Sequence, residues 1–574
     1  MSEATPMATV ARHHAFWPAS HPKTLSVPET NVFYNVEVSA ARYPDKPAVV
    51  FYDTVISFAA FKAEAEKIAG FLQQQCQVKA GDRVLLYMQN SPQFVLAYYG
   101  ILRANAVVVP VNPMNMTTEL RHYVRDTGAT TALVAQDLYA QAAPLLEDGL
   151  KHVIVAAYSD YVKDVEGPGA YRLPETVAAP RADISGPGVT LWSTMLAQSL
   201  APGPLTAGPD DLCVMPYTSG TTGNPKGCMH THRGVMYSIV ASMQWFGTQQ
   251  DAVILSTLPF FHVTGMQGSM NGPLYTGSTM VILPRWDREA AAQAITRHRV
   301  TSVQLIAAMV VDLLSHPQIG DFDLSSLTCI RGGGAAMPEA VAQKMRDLLG
   351  LQYVEGYGMS ETMAATHINP TARPKKQCLG MPLYDVDARV VDPVTLIEVA
   401  QGETGEVVVN APNVMRGYWN NPQADAAAFI DIGGKRFLRT GDLAMVDQDG
   451  YYFMVDRLKR MINASGYKVW PAEVESLLYA HPAIREACVI AASDAKRGET
   501  VKALVVLKDD MRDQVTTAQV LDWAHANMAA YKAPRIVVFV ESLPKSPSGK
   551  VMWRDLQERE NAASAAAAKA TPTN

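Results

Sequence analysis

Between residues 105 and 360, short runs of β-branched and aliphatic residues alternate with stretches whose apolar positions recur every three or four residues. The runs at 106–111, 153–157, 212–216, 279–283, 302–306, 327–330 and 351–355 predict strands. The stretches at 235–246, 288–298, 308–315 and 338–349 predict helices. The last opens on Pro338, and a first helical position costs proline no hydrogen bond. Such alternation implies an α/β region built on largely parallel sheets. Residues 159–210, rich in Pro, Gly and Ser, read as a long surface excursion. After residue 456 the pattern changes. Helix 471–479, strands 487–492 and 501–507, helix 517–528 and strand 535–540 describe a compact α+β unit of roughly a hundred residues, a usual domain size. The Ala-rich segment 562–574 reads as a mobile, disordered tail.

Composition narrows the classes. A chain of 574 residues with 48% hydrophobic and 18% charged residues is globular and has ample core. A net charge of -6, with basic residues scattered, gives no reason to expect nucleic acid as a partner. The six cysteines form no Cys-x-x-Cys pair, so reduced thiols rather than a metal cluster are expected. Residues 1–22 lack an apolar signal core, and the apolar run 94–111 is interrupted by Arg103 and Asn105. A cytoplasmic enzyme without a transmembrane segment is the expectation.

Four segments carry chemistry. Tyr217-Thr-Ser-Gly-Thr-Thr-Gly-Asn-Pro-Lys-Gly227 follows a strand-like run and combines hydroxyls, glycines and Lys226 in one loop, a donor-rich cradle for an anion. It is not the Walker pattern, because Pro225 and Gly227 occupy positions where Gly and Ser or Thr are required. Arg331-Gly-Gly-Gly-Ala-Ala336 and Gly356-Tyr-Gly-Met-Ser-Glu-Thr362 place small residues at strand ends, where a flat ring approaches backbone; adenine suits Tyr357. Glu361 offers a carboxylate for magnesium beside phosphates. Arg439-Thr-Gly-Asp-Leu443 and the following Val455-Asp-Arg457 offer Asp442 to ribose hydroxyls and Arg457 to ribose or phosphate. A polar, Pro-stiffened loop, Leu543 to Val551, presents Lys550.

In this order the segments resemble the adenylate-forming superfamily of acyl-CoA synthetases, firefly luciferases and nonribosomal-peptide adenylation domains, over about 33–556 of the chain. The resemblance implies an N-terminal ATP- and acyl-binding domain, 1–458, and a mobile C-terminal domain, 459–561, turning about Lys459. It implies that Thr218, Ser219, Gly220, Thr221, Thr222, Gly223 and Lys226 wrap the pyrophosphate end of ATP. Gly334, Ala335 and Ala336, with Glu355, Gly356, Tyr357 and Gly358, would bound adenine. Ser360 would touch the α-phosphate, Glu361 hold magnesium, Asp442 and Arg457 hold the ribose, and Lys550 bridge α-phosphate and carboxylate. The implied activity is an AMP-forming ligation of a carboxylic acid to coenzyme A. Ser465, Gly466 and Tyr467 would line the pantetheine channel. A homodimer and transient membrane contact are compatible with it.

For the acid, the same resemblance puts His262, Met266, Gly333 and Met359, with Met236, Val240 and Met243 of one helix, around the acyl chain. The plain alternatives are a hydrogen-bonded core histidine and an ordinary core stripe. No Asp or Glu lies between 259 and 270, which argues against an amino-acid substrate. With no charged residue evident in these segments, a medium- or long-chain fatty acid is expected first and an aromatic acid of cinnamate or benzoate type second. The cross-class alternative is a nucleotide-binding regulatory homologue without turnover.

Overall fold

The structure, a computed structural model, describes residues 13–163, 171–218, 225–333, 337, 339–464, 467–494, 498–512, 514–545 and 551–570. These fall into two compact units between which the chain crosses at 387/388, 408/409 and 438/439. The expected boundary at 458/459 falls inside the smaller of them.

The larger unit, His13–Asp387 with Val409–Leu438, is built on two mostly parallel sheets. One has seven strands in the order His230–Thr231, Leu212–Val214, Val107–Pro110, Arg83–Tyr87, Thr131–Ala135, His152–Ala156, Val189–Leu191. Only its first pair is antiparallel. The other has nine: Met381–Pro382, Ala364–Ile368, Tyr353–Met359, Cys329–Gly333, Ser302–Gln304, Val253–Ser256, Thr279–Ile282, Pro47–Phe51, Thr54–Ser57. Every residue of Val107–Pro110 and Thr279–Ile282 is buried, which is why these strands read as unbroken apolar runs rather than as alternation. Helices Phe58–Gln74 and Pro92–Arg103 pack on each other, each opened by a serine, Ser57 or Ser91, that accepts a backbone N–H of the first turn.

The surface excursion expected over 159–210 is corrected in part. Val189–Leu191 extends the seven-stranded sheet beside His152–Ala156, and the following helix, Trp192–Ala197, buries Trp192 and Met195. Three strand residues between Pro- and Gly-rich flanks are too few to show a period.

The smaller unit comprises 388–408 and the described residues from 439 onward. Its antiparallel strands Ile484–Asp494 and Gly498–Leu507 are joined in parallel by Ile536–Phe539. Helices Pro471–Leu478 and Thr517–Asn527, the second with a capping box at Thr516 and Gln519, close a core that includes Val474, Leu478, Val489, Val505 and Val520. The helix Trp553–Ala570 runs on through most of the segment expected to be a disordered tail, because alanine is the strongest helix former. No described helix is long and apolar enough to cross a membrane.

Candidate active site

In the larger unit two neighbouring strands come together through glycine. Gly332 pairs with Glu355 and Gly333 with Gly356. A Cβ at Gly333 would lie 2.2 Å from the Gly356 carbonyl oxygen, and one at Gly358 would lie 1.7 Å from that of Ala364. Backbone proximity alone therefore requires these glycines, whatever else they do. Glu355, expected to border adenine, is buried, and its carboxylate accepts backbone N–H bonds from Met337 (2.7 Å) and Cys378 (3.1 Å). Burial raises its pKa, and those bonds oppose the rise. Its side chain ties two loops together. Gly334, Ala335 and Ala336 lie outside the described residues. Tyr357 is half-buried, with its ring 5.7 Å from that of His367.

Past Met359 the chain turns sharply. Ser360–Thr362 is a 3-10 turn, and Met363 and Ala364 then adopt positive φ, 44° and 80°, uncommon for residues with a Cβ. Several bonds hold this geometry. Thr362 Oγ1 donates to the Ala364 carbonyl (2.7 Å), Asn413 Nδ2 to that of Thr362 (2.7 Å), and Ser238 Oγ to that of Met363 (2.6 Å). His230 Nε2 meets the Ser360 carbonyl at 2.7 Å, so that nitrogen carries the proton. Burial lowers the His230 pKa to about 4 and keeps the ring neutral.

The phosphate-loop candidates begin as a two-residue ladder, Thr218 opposite Lys226. Ser219, Gly220, Thr221, Thr222 and Gly223 lie outside the described residues. Lys226 stands 4.0 Å over the ring of Tyr418, whose hydroxyl donates to Glu361 Oε1 at 2.9 Å. The ring is 7% exposed and Glu361 8%. One tyrosine thus touches the expected loop cation and the expected metal carboxylate. Sequence reasoning missed Tyr418. It is 57 residues from Glu361 and comes into place because Cys228 bridges it in antiparallel fashion and Trp419 N–H donates to Gly227. Only the aromatic pair Tyr418-Trp419 after Gly417 marks it in the sequence.

The ribose candidates lie in the smaller unit. Asp442 and Arg457 face each other across the strands Lys435–Val446 and Tyr452–Arg457, Nε to Oδ1 at 3.1 Å, with Asp442 buried and Arg457 half exposed. The turn before Asp442 needs Gly441 at φ 69°, and buried Glu406 accepts the Gly441 N–H (3.1 Å) and pairs with Arg439. Lys459 sits in the 3-10 turn Leu458–Arg460, and Tyr467 opens the strand Tyr467–Val469. Ser465, Gly466 and Lys550 lie outside the described residues.

Around the acyl candidates, the helix His232–Trp245 is buried on nearly every face and packs on the π-helical segment Met266–Asn271. Met236, Val240, Met243 and Met266 are at most 5% exposed and share one hydrophobic cluster. A cleft of about 230 Å³ opens beside Val240, Met243, Gln244, Gly247 and Tyr275. Gly333 and Met359 are half-buried. His262 is exposed rather than a core histidine, and its Nδ1 accepts the Thr264 N–H at 3.3 Å. The stretches 235–246 and 258–271 carry no Asp, Glu, Lys or Arg of their own, but Arg331 of a neighbouring strand, 3% exposed, reaches them: its Nη2 donates to the Gly268 carbonyl at 3.1 Å.

Comparison with known proteins matches this arrangement. The family model described as AMP-binding enzyme covers residues 36–419, and that described as AMP-binding enzyme C-terminal domain covers 473–550. The chain is 34% identical over 557 residues to a long-chain-fatty-acid–CoA ligase of Bacillus subtilis (strain 168), spanning 95% of this chain and 97% of that protein. It is 30% identical over 543 residues to the ligase of the same name from Escherichia coli O157:H7, spanning 91% and 93%. Among solved structures, ATP-bound MatB from Rhodopseudomonas palustris superposes with a TM-score of 0.80 at 26% identity, covering 93% of this chain and 99% of that one.

Proposed function

This chain belongs to the AMP-binding enzyme family and is an AMP-forming acid–CoA ligase, and on that premise we propose that its acid is a medium- or long-chain aliphatic one. The observation that carries the proposal is the apolar lining. Met236, Val240, Met243 and Met266 form a buried, methionine-rich cluster, and a cleft opens beside Val240 and Met243. Thioether side chains re-pack around a flexible chain at small cost. The names of the Bacillus subtilis and Escherichia coli relatives support the same reading.

The reaction joins two anions, since a substrate carboxylate attacks the α-phosphate of ATP and pyrophosphate leaves. Charge offset and in-line positioning must therefore supply most of the rate. In the roles proposed here, Thr218 and Lys226 hold the pyrophosphate end. Tyr357 lies against adenine, Asp442 accepts the ribose hydroxyls, and Lys550 offsets charge at the α-phosphate. The thiol of coenzyme A then attacks the acyl carbonyl, and AMP leaves. Among the described residues no three carboxylate, His or Cys groups gather as a metal cage. A single carboxylate aimed by Tyr418 suits magnesium, which keeps most of its waters and binds phosphate oxygens. Bound at Glu361, that ion would neutralise phosphate charge.

The test is a panel of acids scored by AMP release with and without coenzyme A. The kcat/KM should climb with chain length, each buried methylene adding roughly 0.8 kcal/mol, about fourfold, until the lining ends. A maximum at acetate, or at benzoate or cinnamate above every straight-chain acid, would overturn the proposal.

A further inference from the structure

Arg331 is the charged group that the apolar reading does not use. It lies on the strand Cys329–Gly333, two residues before Gly333 and so on the same face of that strand. Its guanidinium rests 4.4 Å over the ring of Phe246, the residue that ends the helix carrying Met236, Val240 and Met243. Its one hydrogen bond among the described residues runs to Gly268, in the segment carrying Met266. The three elements that carry acyl-chain candidates therefore meet at one cation, through Phe246, Gly268 and the strand of Arg331 itself. Nε and Nη1 are both buried and have no hydrogen-bond partner, and among the described residues no carboxylate pairs with the side chain. The 230 Å³ cleft lies beside the same helix end, lined by Met243, Gln244 and Gly247, with neither Phe246 nor Arg331 in its wall.

Burying a guanidinium with N–H groups unsatisfied and no carboxylate beside it is costly, and an anionic partner would offset that cost. The two free N–H groups lie on different edges of the planar guanidinium, so one carboxylate takes one of them together with the Nη2 hydrogen that does not serve Gly268, and a neutral hydroxyl there would leave the charge uncompensated. We propose that Arg331 anchors a second carboxylate at the far end of the acyl substrate, so that the preferred acid is an aliphatic α,ω-dicarboxylate activated at one end only. The proposal rests on the reading that the acyl chain lies between the helix His232–Trp245 and the segment Met266–Asn271.

Matched straight-chain monoacids, ω-hydroxy acids and α,ω-diacids of six to fourteen carbons separate the cases when scored by AMP release. At the favoured length the wild-type enzyme should prefer the diacid at least tenfold in kcat/KM over its monoacid, with the ω-hydroxy acid between. In Arg331→Met that ratio should fall to one or below, while Arg331→Lys should keep part of it. A wild-type enzyme that prefers the monoacid at every length overturns the role of Arg331 and leaves the aliphatic reading standing. Turnover of aromatic acids alone overturns the aliphatic reading first. The wild-type series decides both questions should the variants fail to fold.

Discussion

Replacing Tyr418 by phenylalanine removes one hydroxyl and leaves the ring under Lys226 in place, so the two contacts of this residue separate. The lost bond, 2.9 Å to a carboxylate oxygen of Glu361, is a hydrogen bond to a charged acceptor and is worth about 1.5–3 kcal/mol. Burial, and next the Glu361 charge, push the Tyr418 pKa far above its ordinary value, so the hydroxyl remains a donor throughout any practical assay range. If the bond aims Glu361 at magnesium, the magnesium concentration for half-maximal rate should rise about 10- to 150-fold. The maximal rate at saturating magnesium should change far less. Tyr418→Leu also removes the ring 4.0 Å from Lys226 and should cost a further roughly 2- to 30-fold, from about 0.5–2 kcal/mol of cation–π attraction. Glu361→Gln, which keeps shape and removes charge, should lower activity at least about a hundredfold. Pyrophosphate release across a magnesium titration measures all three. In the Glu361→Gln background the Tyr418→Phe effect should vanish, since one mutation has already removed what the other acts through. Unchanged magnesium dependence in Tyr418→Phe, or full additivity of the pair, would refute the argument.

Two further outcomes follow from the geometry. Asp442→Ala should cut kcat/KM for ATP by about 10- to 100-fold and, more tellingly, erase the preference for ATP over its 2′,3′-dideoxy analogue, because the lost carboxylate is the proposed hydroxyl acceptor; a variant that still discriminates the two removes Asp442 from the ribose. Stability should fall as pH drops below 6.5, since burial lowers His230 and His232 to about 4 and the unfolded chain takes up protons that the fold refuses. Each imidazole contributes stability that is present above 6.5 and lost towards pH 4, roughly 2 kcal/mol by pH 5, and equal denaturation midpoints at pH 7 and pH 5 would contradict this.

The parts of the fold legible in the chain were those where one physical cause acted alone. Strands at 279–282 and 302–304 and the helix Arg288–His298 lie inside or close to the predicted ranges. A fully buried strand must be apolar throughout, and Asp287, whose side chain accepts the Ala290 N–H, marks a helix start by local chemistry. Trp192 and Met195 were hidden for the opposite reason. Their segment is too short for a period, and long-range burial decides its structure. The helix Pro92–Arg103 is buried on all but its last residue, so it carries no polar face to count, and its apolar run looks the same in any fold.

The candidate site divides along the same line. Gly333, Gly358 and Gly441 are readable because their backbones admit nothing larger or turn where a side chain is strained, and the sequence records that constraint at the residue itself. Tyr418 and Arg331 are different. A tyrosine after a glycine and an arginine before three glycines carry no local necessity. Each acquires meaning from a partner far along the chain, Glu361 in one case and Gly268 with Phe246 in the other. Arg331 also sat in plain view inside a motif, where its glycine neighbours drew the chemical reading towards nucleotide. Both roles sit on one strand: the glycines let Cys329–Gly333 and Tyr353–Met359 close up, and the side chain of Arg331, on the face of Gly333, lies against Phe246 and Gly268. On the proposal made above, the acid meets a charged residue although the surrounding pattern is apolar, and specificity turns on what the substrate brings to Arg331 as well as on the length of the lining.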